Sequence, residues 1–301
     1  MFRQIFRVKI ILLVLLLWTA LVADASLIAP DAKLEKLAGG FGFTEGPTCD
    51  AQGNIYFTDQ PNNRILKWSV NGKLSTFMQP AGRANGMYFD ARDNLIVCAD
   101  EHNKLWSIAP DKTVTVLVKD FQGKYLNGPN DAWVAPNGGI YFTDPFYQRP
   151  YWDHNTMALT NEEVYYLRPD HKTLTCVTTD LKKPNGIIGT PDGKHLFVSD
   201  IRAGRTWRYD IKSDGSLTNK TFFCRLGSDG MTLDAEENLY LTGNGVTVFN
   251  PAGKQIEHMD VPESWTANVS FGGPDHQTLF ITASESLYSI RLTVKGANAA
   301  K

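Results

Sequence analysis

One short phrase occurs six times in the sequence and constrains the fold more than any other feature. The first copy begins at Glu45 and passes through a polar turn containing Gly53 and Asn54 into the apolar run Ile55–Asp59. The later copies begin at equivalent polar residues: Asn85, Asn130, Asn185, Asp229 and Asn268. Successive copies start 40, 45, 55, 44 and 39 residues apart. A strand-based repeat of roughly 40–50 residues is typical of a β-propeller with one blade per copy, so six copies predict six blades.

Hairpin signals between the copies predict blades of four antiparallel strands. In the first blade the dipeptide Asn71-Gly72 separates the strand-like runs Arg64–Val70 and Leu74–Met78, and Asn-Gly between two such runs is a strong hairpin signal. A propeller must close its ring, commonly with an N-terminal strand that completes the last blade, so we expect Leu34–Ala38 to pair beside Ser286–Val294. The sequence therefore predicts an all-β fold, with residues 26–301 forming a single six-bladed β-propeller that an N-terminal strand closes.

The first 25 residues have the pattern of a secretory signal peptide. Two arginines and a lysine precede the apolar run 10–23, and Ala23-Asp24-Ala25 is a small-x-small cleavage site. The apolar run is shorter than the ~20 residues that a membrane-spanning helix needs. An uncleaved anchor is the alternative. We expect a mature protein that begins near Ser26, is periplasmic or secreted, and has no membrane contact after cleavage.

Four cysteines would then face an oxidising compartment: Cys49, Cys98, Cys176 and Cys224. Their even number allows disulfides, but they fall on predicted inner, second and outer strands, so buried free thiols are an equally good interpretation. The sequence contains no C-x-x-C spacing, which leaves zinc and thioredoxin-like chemistry without support.

The overall charge excludes two classes of partner. The net charge is −2, the sequence pI is about 6.3, and no basic run is present. Nucleic acid and anionic membrane surfaces are therefore poor partners for this chain, and a small molecule is the expected one.

The polar residues that begin the six copies predict a metal site. Equivalent positions in equivalent blades lie at equal height around the propeller axis, where the innermost strands converge. Glu45 and Asp229 would supply two carboxylates there, beside neutral amide oxygens. Buried polar groups need partners, so these side chains either hydrogen-bond to each other and to water or bind a cation. An all-oxygen site without His or Cys suits Ca²⁺ best, with Mg²⁺, Mn²⁺ or Zn²⁺ as alternatives.

The third copy is followed by an insertion, residues 145–161, that is rich in aromatic residues. Long loops in compact folds are usually functional or disordered, and the aromatic content argues against disorder. We interpret the insertion as a lid or pocket wall, with packing between blades as the alternative. As a wall it would place four side chains against a sugar ring: Tyr147, Tyr151, Trp152 and His154.

Five motifs together point to a known family. They are Glu45-Gly-Pro, Asn127-Gly-Pro-Asn-Asp131, Pro184-Asn-Gly186, Ser228-Asp-Gly-Met231 and Tyr151-Trp-Asp-His-Asn-Thr-Met157. From Leu34 to Leu292 the chain resembles the gluconolactonase and regucalcin-like (senescence marker protein) lactonases. The resemblance implies a propeller with one catalytic divalent metal bound by Glu45, Asn185 and Asp229. It also implies that Asn130 contacts the metal, its water or the substrate, and that Asp229 is the general base.

One position departs from the family pattern. Some members carry an Arg two residues before the residue that matches Asn130, and this chain has Gly128 there. Arg83 holds the corresponding place in the preceding blade. The family's recognition of sugar lactones therefore does not transfer directly.

Taken together, the sequence predicts a secreted, divalent-metal-dependent lactonase that hydrolyses a sugar lactone. The metal would polarise the lactone carbonyl, and Asp229 would take a proton from the attacking water. Asn85 and Asn130 would orient substrate, with Asp131 supporting Asn130. The alternatives are a metal-dependent phosphotriesterase or arylesterase of the same architecture, and a non-enzymatic ligand-binding propeller, which would not need two acids on the axis. The substrate, the physiological metal, the cysteine pairing and the oligomeric state remain open.

Overall fold

Six antiparallel sheets of four strands each form the structure, a computed structural model that describes residues 26–297. The predicted signal peptide, residues 1–25, lies outside the described residues. The innermost strands of neighbouring sheets contact each other in chain order, and the first also contacts the last, which makes a closed ring. The prediction of an all-β, six-bladed β-propeller with four-stranded antiparallel blades is confirmed.

The strands follow the chain from the inside of each blade outward. Blade 1 consists of β2 (Thr44–Cys49), β3 (Ile55–Asp59), β4 (Arg64–Trp68) and β5 (Leu74–Met78). Blade 2 consists of β6 (Ala84–Phe89), β7 (Leu95–Ala99), β8 (Lys104–Ile108) and β9 (Val114–Val118), with a 3₁₀ turn at Asp100–His102. Blade 3 consists of β10 (Ala132–Val134), β11 (Ile140–Asp144), β12 (Glu163–Leu167) and β13 (Leu174–Thr178).

The second half of the chain repeats the plan. Blade 4 consists of β14 (Pro184–Gly189), β15 (His195–Asp200), β16 (Arg205–Ile211) and β17 (Leu217–Cys224). Blade 5 consists of β18 (Met231–Leu233), β19 (Leu239–Gly243), β20 (Gly245–Phe249) and β21 (Gln255–Met259). Blade 6 consists of β22 (Thr266–Gly272), β23 (Thr278–Ala283), β24 (Ser286–Arg291) and, as its outermost strand, β1 (Glu35–Gly39).

The ring closes as predicted from the sequence. Strand β1 pairs antiparallel with β24, with Glu35 opposite Ser289 and Gly39 opposite Ser286. At the same joint, the Thr44 hydroxyl of blade 1 donates to the backbone oxygens of Ser284 and Ser286 at 3.1 and 2.9 Å. Strand β1 and the first strand of blade 1 are therefore both tied to blade 6.

A short polar pair fixes the turn between the two inner strands in several blades. In blade 1, Asp50 Oδ1 accepts the backbone N–H groups of Gln52 and Asn54, and the Asn54 amide donates back to Asp50 Oδ2 at 2.8 Å. Asp90 with Asn94, and Asp234 with Asn238, make the same contacts. Asp and Asn favour such turns because their short side chains bond to the nearby backbone. The Asp-x-x-x-Asn part of the repeat is thus a turn signal.

In four of the six blades the innermost strand is irregular near the polar residue that begins the copy. Register shifts lie between Glu45 and Thr48, Ala84 and Met87, Pro184 and Ile187, and Thr266 and Asn268. Such irregularities bend a strand and re-aim a side chain. They direct the polar side chains toward the axis while the rest of the strand stays in the blade.

The apolar core lies between the blades, where the second strands are covered on both faces. All five residues of β3, β7 and β11 are buried. Close fit is visible at Gly189 of blade 4, where a Cβ atom would lie 2.3 Å from the Trp133 ring of blade 3. All four cysteines are free thiols. Within residues 26–297, no helix has the length and apolar character needed to cross a membrane.

Candidate metal and active site

A cavity of about 270 Å³ lies on the axis at one end of the ring. Five of the six polar residues that begin the sequence copies line it: Glu45, Asn85, Asn130, Asn185 and Asp229. The remaining lining residues are Phe43, Gln60, Tyr147, Arg149, Ile201 and Trp265. The structure therefore brings together, from five blades, the residues predicted to bind metal and the predicted general base.

Glu45 is held close to the neighbouring inner strand. Its Oε2 accepts the backbone N–H of Gly46 at 2.8 Å and the Asn268 amide at 3.4 Å. Gly46 has a φ of +46°, and a Cβ there would lie 2.2 Å from the Asn85 carbonyl oxygen. Only glycine fits this approach. The Glu-Gly-Pro motif is therefore a backbone requirement that places the Glu45 carboxylate at the axis.

Both carboxylate oxygens of Asp229 have a side-chain donor. The Asn185 amide donates to Oδ1 at 2.8 Å, and the Trp265 indole N–H donates to Oδ2 at 2.6 Å. The Asn185 amide also donates to the Tyr147 hydroxyl at 3.0 Å. Asp229 is thus fixed in orientation by residues from blades 4 and 6.

Two amide oxygens in this cavity have no hydrogen-bond donor. Asn85 Oδ1 and Asn185 Oδ1 are buried and unpartnered among the residues that the structure describes. Leaving a buried acceptor unsatisfied is costly. Because both amides line the cavity that holds Glu45 and Asp229, their free oxygens are available to the same bound group.

The buried charges of Glu45 and Asp229 are also compatible with a bound cation. Burial, and then the charge of Asp229, raise the pKa of Glu45 well above its usual value. Burial raises the pKa of Asp229 to about 6, against the opposing hydrogen bonds from Trp265 and Asn185. Two buried carboxylates on one axis repel each other, and a divalent cation between them removes that repulsion.

The donor set fits a hard divalent cation. It contains two carboxylates and the unpartnered oxygens of Asn85 and Asn185, and Ca²⁺ and Mg²⁺ prefer oxygen ligands of these types. Over residues 26–297, no cluster of three or more His, Cys, Asp or Glu side chains could hold a metal. The amides are therefore essential members of this set. Asn130 is fixed beside it by its backbone, which donates to Thr143 O and accepts from Gly86 N.

Two predicted residues face the opposite end of the channel. Asp131 and Asn268 line a second, larger cavity of about 1100 Å³. Side chains alternate in direction along an extended chain, so Asp131 points away from the cavity that Asn130 lines. Its carboxylate accepts the backbone N–H groups of Ala132 and Ile187 at 3.0 and 3.4 Å. Asp131 therefore supports the inner strands of blades 3 and 4 and not the Asn130 amide.

The insertion of blade 3 forms part of the cavity wall, but through different residues than expected. Tyr147 and Arg149 line the cavity, whereas the lining residues found within 26–297 do not include Tyr151, Trp152 or His154. The Tyr151 hydroxyl and the Trp152 indole donate to Asp100 of blade 2, to Oδ2 and the backbone oxygen respectively. His154 stacks on Trp152 with 5.0 Å between ring centroids. The buried Asp100 carboxylate needs donors, and it draws Tyr151 away from the cavity.

The packing of Trp152 against Asp100 explains why residue 128 is a glycine. Its φ is +145°, and a Cβ there would lie 2.9 Å from the Trp152 ring and 3.0 Å from Asp100 Oδ1. A side chain at this position is excluded by the insertion. Arg83 does not replace it, since its Nη1 donates to Pro61 O at 2.6 Å and its Cζ lies 4.5 Å from the centre of the Tyr151 ring.

Five lining residues escaped the sequence reasoning: Phe43, Gln60, Arg149, Ile201 and Trp265. Gln60 directly follows Asp59, the acid that ends β3, and an acid also ends the second strand of blades 3 and 4. Arg149 lies in the insertion, where the aromatic residues alone indicated a pocket wall. Trp265 precedes β22 in an irregular segment, and no spacing in the sequence distinguishes it from the other tryptophans.

Comparison with known proteins identifies the family. The SMP-30/Gluconolactonase/LRE-like region matches residues 43–285, and the chain belongs to this family. A gluconolactonase of Zymomonas mobilis is 29% identical over 294 residues, which cover 87% of this chain and 82% of that protein. Lactonase drp35 of Staphylococcus aureus strain MW2 is 31% identical over 240 residues, covering 72% and 69% of the two chains.

A solved structure with the same fold is also named a gluconolactonase. A gluconolactonase from Xanthomonas campestris, described as important in glucose secondary metabolism, has a TM-score of 0.82 and 30% sequence identity, over 88% of this chain and 91% of that one. The family resemblance deduced from the motifs is confirmed. The names of these relatives agree with the prediction of a hydrolase that acts on lactones.

Proposed function

We propose that this protein is an exported enzyme, periplasmic or secreted, that hydrolyses a sugar lactone with the help of a divalent cation. Glu45, Asn130, Asn185 and Asp229 would hold the cation, with Ca²⁺ preferred, and the unpartnered Asn85 oxygen is a further ligand available to it. The observation that supports this most strongly is the pair of buried, unpartnered amide oxygens beside two carboxylates. The relatives named gluconolactonase and lactonase support lactone hydrolysis as the reaction.

The cation and the residues of the cavity have separate roles in the proposed reaction. When bound, the cation supplies Lewis-acid polarisation of a carbonyl group and favours the negative charge of the transition state. Asp229 takes a proton from the attacking water, and its orientation is set by the donors Asn185 and Trp265. Asn85 and Asn130 orient the substrate or the water by hydrogen bonds.

The cavity wall fits a small, partly apolar ring. Phe43 and Ile201 supply apolar surface, and Tyr147 and Trp265 supply aromatic faces that can lie against the C–H groups of a sugar. At about 270 Å³ the cavity is of the size expected for a single monosaccharide-sized ligand, just below the usual range for drug-sized ones.

The test is a direct assay on purified protein. Hydrolysis of glucono-1,5-lactone is measured before and after EDTA, and again after addition of Ca²⁺, Mg²⁺, Mn²⁺ or Zn²⁺. We expect activity that EDTA abolishes and that Ca²⁺ restores best. Activity that survives complete metal removal would contradict the metal role. Paraoxon and phenyl acetate are run in parallel, and faster turnover of either would assign the site to the phosphotriesterase or arylesterase alternative.

A further inference from the structure

Arg149 is the one cationic side chain among the cavity-lining residues that the structure describes. Its Nε donates to Asp100 Oδ2 at 2.8 Å. Among residues 26–297, Nη1 and Nη2 make no hydrogen bond to another protein group. The side chain is 24% exposed, so this end of the guanidinium is accessible from the cavity without being open to bulk water on all sides.

The contact with Asp100 is not the one expected of an arginine whose role is to neutralise a carboxylate. Such pairs are commonly bidentate, with two parallel N–H bonds to the two oxygens. Here Asp100 Oδ2 already accepts the Gln60 amide at 2.9 Å and the Tyr151 hydroxyl, and Arg149 adds a single side-on bond. The side-on contact anchors the guanidinium and leaves its terminal fork free for a ligand.

Neighbouring groups restrain the guanidinium further. Its Cζ lies 5.7 Å from the centre of the Tyr147 ring, and Lys183 Nζ lies 4.2 Å from the same ring centre. Lys183 donates to the Phe146 carbonyl oxygen at 2.8 Å, which fixes the insertion on blade 4. The planar fork is therefore held in advance of ligand binding, and less conformational entropy is lost when it binds.

Cations outnumber carboxylates in the ion pairs next to Arg149 and the insertion. Three cations, Arg149, Lys183 and Arg202, face two carboxylates. These are Asp100 with Arg149, and Glu162, which lies 3.7 Å from both Lys183 and Arg202. Under the proposed function, the charges of Glu45 and Asp229 are balanced by the divalent cation. Among these five groups the cations outnumber the carboxylates by one, which favours an anionic substrate group beside Arg149.

The following inference rests on the proposed function. We propose that Arg149 binds a carboxylate of the substrate, a role that we call the carboxylate clamp. The preferred substrate is then the lactone of a sugar diacid, which has one free carboxylate. The fork of a guanidinium matches the two oxygens of a carboxylate in plane. The lactone carbonyl of the same substrate would then lie toward Glu45 and Asp229. A neutral sugar lactone would fit the cavity but leave the fork unpaired.

The experiment compares two lactones that differ only at C6, where one has a carboxylate and the other a hydroxymethyl group: D-glucaro-1,4-lactone and D-glucono-1,4-lactone. We expect kcat/KM to be about tenfold or more higher for the diacid lactone, which corresponds to about 1.4 kcal/mol. Arg149→Met should remove most of this preference by raising KM for the diacid lactone. Arg149→Lys keeps the charge without the fork and should fall between the two.

The control is Arg225→Met, which removes an exposed arginine that follows the outer strand of blade 4. Thermal unfolding of each variant confirms that the fold is intact. Equal losses on both lactones in Arg149→Met, or no preference in the wild type, would overturn the clamp while leaving the lactonase function standing. If neither lactone nor glucono-1,5-lactone is hydrolysed with any metal, the proposed function fails instead.

A binding measurement tests the clamp independently of turnover. Titration of the calcium-loaded protein with D-glucarate and D-gluconate is followed by calorimetry. We expect glucarate to bind about tenfold or more tightly, and Arg149→Met to bring the two affinities together. Equal affinities in the wild type would overturn the inference whether or not hydrolysis is observed.

Discussion

The indole N–H of Trp265 donates a 2.6 Å hydrogen bond to Oδ2 of Asp229, although Trp265 itself is 38% exposed. The two residues belong to different blades, and the bond spans the rim of the cavity. With the Asn185 amide on Oδ1, it leaves Asp229 little freedom to rotate. A proton acceptor whose orientation is fixed in advance is a general requirement of efficient base catalysis.

Trp265→Phe should therefore impair turnover without impairing the fold. Phenylalanine keeps an aromatic face and removes the N–H donor. We expect kcat for the preferred lactone to fall by about tenfold, the loss typical of one hydrogen bond to a charged group, with a smaller change in KM. Steady-state kinetics measure both. The matched control is Trp207→Phe, because the Trp207 indole N–H has no partner among the described residues. Equal kinetics in the two variants would show that the bond to Asp229 is without consequence.

Asp229→Asn should abolish most of the activity while the protein remains folded. The substitution keeps the shape of the side chain and removes its capacity to take a proton. A positioned base contributes roughly 10²- to 10⁴-fold, so we expect a fall in kcat of that order at saturating Ca²⁺. Circular dichroism verifies the fold. Asp192→Asn alters a turn carboxylate between β14 and β15 and should leave turnover unchanged. Near-normal turnover in Asp229→Asn would refute its role as base.

Glu45→Gln should stabilise the metal-free protein and reduce the further stabilisation that Ca²⁺ provides. Burial and the Asp229 charge raise the pKa of Glu45, so its ionised form destabilises the metal-free fold at neutral pH. The variant should therefore unfold at a higher temperature than wild type in EDTA. Its Ca²⁺ affinity by calorimetry should fall by about 100-fold, and Ca²⁺ should raise its Tm less. Glu35→Gln, an exposed change on β1, serves as control. An unchanged affinity would remove Glu45 from the site.

The fold and the main members of the site follow from repetition in the sequence. Glu45, Asn85, Asn130, Asn185 and Asp229 hold the same place in their copies, and a closed ring brings equal places to one cavity. This inference needs only the repeat and the symmetry of the propeller. It requires no knowledge of any single loop, which is why it succeeded.

The residues that deviate depend on local geometry that a repeat does not encode. Arg149 enters the cavity because the insertion is anchored by Asp100, a contact 49 residues away in sequence. Asp131 faces the opposite end because side chains alternate along the strand. Asn268 is turned by its own bond to the Val269 N–H and reaches Glu45 only with its amide at 3.4 Å.

Gly128→Ala should loosen the insertion. The new Cβ would lie 2.9 Å from the Trp152 ring, and the backbone there has a φ of +145°. Gly123→Ala is a matched control, because Gly123 has a φ of +78° but nothing within 4 Å of a Cβ. We expect Gly128→Ala to lose about 1–3 kcal/mol more than the control in urea unfolding, the cost of overpacking. Equal losses would show that backbone strain alone explains the glycine.

The four cysteines should be inert in the native protein. Burial raises the pKa of Cys49 and Cys176 to about 12 and that of Cys224 to about 11, and it also raises that of Cys98. The reactive thiolate forms only as pH rises through these values, so little is present at pH 8. Iodoacetamide at pH 8 should label none natively and four per chain in urea, by mass spectrometry. Two labels in unreduced, unfolded protein would instead indicate a disulfide.

The pairing of β1 with β24 sets the order of events when the protein is made. Strand β1 leaves the ribosome first, but its partner β24 is the last strand made, so blade 6 stays one strand short until the two pair. Until then β24 is a bare edge that can accept a strand from another molecule. The risk of strand exchange between molecules therefore lasts until β1 and β24 pair. A molecule cleaved by a protease between β1 and β2 would remain open to strand exchange, because β1 would no longer be covalently attached.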